Sequence, residues 1–289
     1  MIEDALRYQT QGDDWAKRIG LGGVVLFFGF LIVPLFTFQG YMLEVMRRVL
    51  RGETDTPPAW DELDLADITV DGIRHTVVVM GYGLLLTLAL AIPGLLVIGG
   101  GLGGSEGLLL VGFLVAALLY FIGVLAMAVI LPVATGNFVR ADSIAAGFDR
   151  DVLSSVGTNR TMLMAVVMAF AVNIIVSVGA TVLGFTIIGY LAVPFLAFVG
   201  QSAIMYVWAR GFADAYEEEY GEPPLAPTTA PGGTHRSGPA TTGTTSSVDE
   251  QIGDSYTDDP SRSNDTDDDG FGTSAWDDVG DSDGDSGQR

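Results

Sequence analysis

The sequence predicts an all-α integral membrane protein, with about five transmembrane helices in residues 1–220 and a disordered acidic C-terminal tail in residues 221–289. Three observations lead there. Uncharged apolar runs of spanning length recur through the first 220 residues. Mean hydropathy is +0.41 although the formal net charge is −21. That conflict disappears when the chain is divided near Gly221, because the residues beyond it include 15 acidic and 3 basic ones and little that is apolar. Such a segment buries too little surface to offset the entropy of ordering it.

The spans follow in order from the length a bilayer demands, about 20 mostly apolar residues for a hydrocarbon core of about 30 Å. Residues 19–42, 75–98 and 108–133 meet that demand. The apolar region from Thr161 to Tyr206 is about twice the needed length, and Gly179 and Gly184 interrupt it. It reads as two helices, roughly 161–180 and 184–208, joined by a tight turn. The first run is too long for a signal peptide, and no small-x-small cleavage site follows it, so it is expected to stay as a span.

Arginine placement orients the spans. Arg47, Arg48, Arg51 and Arg74 lie in the first connection, Arg140, Arg150 and Arg160 in the third, and Arg210 follows the last span. With five spans these fall on one face, expected to be cytoplasmic, with the N-terminus outside and the tail inside. Arg7, Lys17 and Arg18, which precede the first span, run against that arrangement.

Residues 29–40 and 189–200 share the ungapped pattern G-[FY]-L-x-V-P-x-x-x-F-x-G. Leu131-Pro132 with Gly136 and Asn137 is a weaker version. Proline removes a backbone donor and kinks a helix. Gln39, Asn137 and Gln201 follow within one or two turns. One reading is a polar vestibule formed by these three amides. The other is ordinary membrane-helix architecture, in which amides satisfy freed carbonyls. Ala165, Ala169, Asn173 and Ser177, four apart on one face, read as a helix-packing seam. The segment from Asp142 to Gly157 has Ile144, Phe148, Val152 and Val156 at the same spacing. It is expected to be an amphipathic helix on the inner membrane face, or a docking element.

Chemistry is sparse. There is no cysteine, and His75 and His235 are the only histidines. No acid, base, nucleophile or metal set stands at a recognisable spacing. Gly99, Gly101 and Gly104 match a dinucleotide fingerprint but lie between apolar helices, without the βαβ setting it requires. In the tail, Asp265, Asp267 and Asp269 open a calcium-type loop, but Trp276 stands where its glutamate belongs. Catalytic residues, metal and cofactors are therefore not expected, and the chain does not read as an enzyme. Strong acidity speaks against nucleic acid as a partner. One lysine against 13 arginines, with this charge, points to a halophilic archaeon.

After the first span the chain reads R-R-V-L-R-G-E-T-D-T-P-P-A-W-D-E-L-D-L-A-D-I-T-V-D-G from Arg47 to Gly72. Its marks are Arg51, Gly52, Glu53, Pro57, Pro58, Trp60, Asp71 and Gly72. With Gly147-Phe148-Asp149 further on, the stretch resembles the archaeal membrane-protein family catalogued as domain of unknown function 4013. The resemblance covers about residues 15–215. It implies a multi-pass membrane protein and supplies no site residues. Arg47, Arg48, Arg51 and Trp60 are expected at the bilayer interface, arginines on lipid headgroups and the indole as an anchor.

The expected partners are the lipid bilayer and another membrane or cytoplasmic protein, in the cell membrane. The function expected is a non-enzymatic scaffold or accessory subunit; the alternative is a small-solute transporter or channel.

Overall fold

The computed structural model describes residues 2–226, all within one contact unit running from Met1 to Thr234. Residues 227–289, on which the expectations of a disordered tail and an incomplete calcium loop fall, lie outside the described residues. Among those described there are eight α-helices and no strand.

A short α1 (Ile2–Tyr8) precedes α2 (Trp15–Phe27) and α3 (Ile32–Leu50). Four long apolar helices follow: α4 (Leu65–Leu102), α5 (Glu106–Ala141), α7 (Arg160–Gly184) and α8 (Ile187–Tyr220), with the short α6 (Arg150–Thr158) between the second and third. Each of the four is long and apolar enough to cross a membrane. Side chains cap their starts. Asp64 accepts from the amides of Ala66 and Asp67, Asn159 from Thr161, and Thr186 from Gly189. The turn between the last two spans falls at Phe185-Thr186, so Gly179 is helical and only Gly184 lies at a boundary.

The first expected span is not one helix. The chain breaks at residues 28–31, where the Gly29 amide turns back to the Leu26 carbonyl and the Leu31 amide to Phe28. Pro34 then falls in the first turn of α3, where its missing N–H has no helical partner to lose. The 13 residues of α2 extend about 20 Å, short of a bilayer. Together α2 and α3 make a helical hairpin with an apolar tip, where Phe30 is 76% exposed. Both its ends lie beside the same end of the bundle: Tyr8 packs on Tyr206, and Trp60, just past α3, receives contacts from the start of α2. Beside this hairpin the chain has four helices long and apolar enough to cross a membrane, close to the five expected.

The hairpin removes the disagreement over the N-terminal cations. Arg7, Lys17 and Arg18 join Arg47, Arg48, Arg51, Arg74, Arg140, Arg150, Arg160 and Arg210 at one end of the molecule. The opposite turns, at residues 28–31, 103–105 and 185–186, contain no basic residue.

The long helices overshoot the hydrocarbon. The 38 residues of α4 extend about 57 Å. The excess lies at the cation-bearing end, where the second half of α3, the start of α4, the end of α5 and the second half of α8 form a close-packed core around Tyr41, Met46, Phe138, Phe198 and Phe212. Gly40 and Gly72 let α3 and α4 touch backbone to backbone: a Cβ on Gly40 would stand 1.7 Å from the Ile68 oxygen, and one on Gly72 would stand 2.0 Å from that of Phe36. The two copies of the internal pattern meet here, with the equivalent Phe38 and Phe198 rings 6.3 Å apart. Toward the other end the helices expose leucine, isoleucine, valine and phenylalanine, and only 6% of the most apolar stretch of α5 is buried within the chain. Those side chains need hydrocarbon around them.

The amphipathic segment after α5, expected as one helix, is divided. It forms a 3₁₀ turn (Ala145–Phe148) and then α6, with Val152 and Val156 buried and Phe148 stacked on Tyr82 of α4 at 5.0 Å. Val152 and Val156 of its apolar row are covered by the chain's own helices, while Ile144 is half-buried and Phe148 stays partly exposed.

Candidate functional site

The packed end gathers most of the polar side chains that are held in place. Tyr41 on α3 is its centre. Its hydroxyl donates to the Pro58 carbonyl at 2.9 Å, and its ring stacks on Trp60 at 4.3 Å. The Trp60 indole donates to the Arg18 carbonyl at 3.1 Å. Arg18 is itself buried and donates to the carbonyls of Gln9 and Gln11. The Gln9 amide donates to the Ser202 hydroxyl of α8. These bonds fasten the N-terminal segment, the 51–64 connection, α3 and α8 to one another. Burial, with Tyr41 alongside, raises the Tyr8 phenol above its ordinary range, so it stays neutral.

The interfacial placement expected of Trp60 is therefore not met. The residue is 8% exposed and closes the core instead of anchoring in headgroups. Arg47 and Arg48 are also engaged inside the molecule. Arg47 pairs with Glu44 at 2.5 Å and Asp71 at 3.0 Å, and Arg48 with Glu62 at 2.6 Å and the Thr56 carbonyl at 3.3 Å. Arg51, just beyond α3, is half-buried. Arg74 reaches both the carboxylate and the carbonyl of Asp142, whose left-handed backbone ends α5.

The three amides expected to share a vestibule point to three different neighbours. Gln39 donates to His75 Nδ1 at 2.9 Å; this places the proton on Nε2, which donates to Thr135 Oγ1 at 2.9 Å, and Thr135 in turn donates to the Leu131 carbonyl. Asn137, fully buried, donates to the Ala146 carbonyl at 2.8 Å and accepts from Arg140 Nε at 2.7 Å. Gln201 faces outward into a groove lined also by Asn173. The expected seam is divided. Ala165 and Ala169 are buried, Ala165 against Gly211 of α8, whereas Asn173 and Ser177 are exposed. The sequence does not single out Gln9, Tyr41 or Ser202. Their partners are up to 193 residues away, and no local signal marks them.

Among the hollows that accompany this framework, three bear on the site. An apolar cavity of about 690 Å³ lies between α2, α3 and the start of α4, lined by Leu21, Val24, Phe28, Leu31 and Pro34, with Lys17 and Asp61 at its rim. A polar cleft of about 420 Å³ separates the N-terminal segment from the 51–64 connection and is edged by Asp13, Asp14, Asp55 and Glu62, with Arg18 and Arg48 also in its lining. The groove with Asn173 and Gln201 has about 220 Å³. Among the described residues, no group of three or more His, Asp or Glu is placed to hold a metal ion.

Four helices long and apolar enough to cross a membrane, a helical hairpin and a fastened polar end define an integral membrane protein of the α-helical class. A family model described as "Protein of unknown function (DUF4013)" matches residues 27–185, more than half of the chain, and the chain belongs to that family. The match begins at the hairpin tip and stops at the end of α7, narrower than the resemblance read from the sequence. No curated protein and no solved structure matches the chain.

Proposed function

We propose that this protein is a non-enzymatic membrane scaffold or accessory subunit whose packed end is a docking platform. The observation that carries this reading is the 51–64 connection. A plain linker between helices needs no fixed shape, yet this one is held by Tyr41, Arg18, Arg48 and the buried Trp60. Loops fixed on a rigid scaffold are where proteins place binding surfaces. The cleft beside it suits a basic segment of a partner, because its two arginines are engaged within the chain, Arg18 with backbone carbonyls and Arg48 with Glu62 and Thr56, while Asp13, Asp14 and Asp55 stand at its edge. The concentration of arginine at this end supports a cytoplasmic orientation, with the N-terminus on the same side. The excess of acid and the single lysine support a salt-loving archaeal source and a place in its cell membrane, so molar salt is the proper assay condition.

The test is purification of the tagged full chain at high salt in mild detergent, with chemical cross-linking before extraction. A stoichiometric partner is expected, lost when Asp13, Asp14, Asp55 and Glu62 are changed to Asn or Gln. Recovery of the chain alone, in any oligomeric state, together with solute flux in liposomes, would replace the scaffold by the transporter or channel.

A further inference from the structure

The four long helices carry three side-chain amides, and one of them, Asn137, is satisfied within the chain. Asn173 and Gln201 make no side-chain hydrogen bond within the described residues, and both are exposed in the groove between α5, α7 and α8. Asn173 lies about 17 Å along the axis from the end of α7 at Gly184, and Gln201 about 21 Å from the start of α8 at Ile187. Both amides therefore sit at one depth, near the middle of the hydrocarbon. Alkyl chains neither donate nor accept hydrogen bonds, so lipid leaves both amides unpaired at a cost of the order of kcal/mol each.

We propose that the groove is a self-association surface, in which α7 and α8 of two copies of this chain pack about a two-fold axis along the membrane normal. Such an axis brings each residue opposite its counterpart region at the same depth, so an interface closes only if the groups there are self-complementary. Amides are, since each carries both donors and an acceptor. Asn173 of one copy then pairs with Gln201 or Asn173 of the other. The floor fits the same purpose, because Ala128 and Ala169 are small enough to let a second helix approach, and small residues with interhelical amide bonds are what hold membrane helices together. Phe170 stands at the edge of the groove, 66% exposed, and has apolar surface to bury against the second copy. This inference does not depend on the scaffold reading.

The absence of cysteine makes the test clean. A Phe170→Cys variant, oxidised in native membranes, is expected to give a disulfide-linked dimer, while Phe113→Cys, on the exposed far part of α5, gives no disulfide cross-link. Light scattering of lipid-nanodisc samples should give a dimer mass for the parent chain. The double variant Asn173→Leu/Gln201→Leu should weaken dimerisation by about tenfold or more, and Asn173→Gln, which keeps an amide, should leave it intact. Neither Leu change removes a bond inside the chain, so the fold persists and a monodisperse monomer is a readable result. Persistence of the dimer in the double variant overturns the proposal. A parent chain that is monomeric in lipid overturns it, as does a Phe170→Cys adduct to a different polypeptide.

Discussion

Val78 and Leu88 are ten residues apart on one helix, yet the first is 1% exposed and the second 60%. Between them α4 leaves the packed end and enters the region where apolar side chains face outward. At the packed end stability comes from jigsaw contact among side chains and from ion pairs held close together. Along the apolar end the surrounding hydrocarbon does the same job for any residue that is greasy enough, so shape matters much less. The same helix therefore tolerates opposite kinds of change along its length.

Glycine gives the largest contrast. Gly40→Ala drives a methyl into the Ile68 carbonyl, and α3 and α4 must part. The expected loss is about 3 kcal/mol or more, beyond the usual range for overpacking because the obstacle is backbone. Gly83→Ala, also helical but with nothing within 4 Å of the new carbon, should instead stabilise by about 0.5–1 kcal/mol through chain entropy. Thermal midpoints in detergent measure both. Equal effects would erase the distinction between the two regions.

The ion-pair network comes next. Arg47→Met leaves Glu44 and Asp71, whose side chains are 12% and 20% exposed, without the cation between them. Removing one partner of a fully buried pair costs about 3–5 kcal/mol; with some solvent still present, about 2 kcal/mol is expected here. Adding Glu44→Gln and Asp71→Asn should recover most of it, and a failure to recover would mean that Arg47 acts through packing of its stem.

Asparagine sharpens the comparison with one substitution at two sites. Asn137→Leu strands the Ala146 carbonyl and the Arg140 guanidinium, at about 1–3 kcal/mol. Asn173→Leu breaks no bond inside the chain and should leave the midpoint of the monomer within about 0.5 kcal/mol. The two amides are alike in sequence, each in an apolar helix, and only the structure separates them.

That separation marks how far the sequence reaches. The spans α4, α5, α7 and α8 were legible because twenty apolar residues have few other destinations. The hairpin was not, since hydropathy is continuous across Phe27–Ile32 and the break is made by turn geometry at Gly29. Pro34 was a start signal for α3 that read equally well as a kink. Trp60 was misplaced for a different reason. An indole beside charged residues suits a membrane interface and a buried stack on Tyr41 equally, and the partner that decides between them lies 19 positions away. Gln39, Asn137 and Gln201 share a local motif, but helix rotation decides what each one faces.

Caps give the smallest effect and the finest test of the two regions. Asp64 accepts from two amides, at 2.8 and 3.3 Å, where α4 starts in the packed end. Asp64→Ala should cost about 1 kcal/mol, the usual value for such a cap. Ser105 begins α5 at the apolar end with a single bond of 3.4 Å, and Ser105→Ala should cost a few tenths at most. Hydrogen exchange locates the loss: faster exchange confined to Ala66–Ile68 is expected for the first variant. Spread of that exchange to His75 and beyond would mean that the first turns of α4 hold the packed end together more than its side-chain core does.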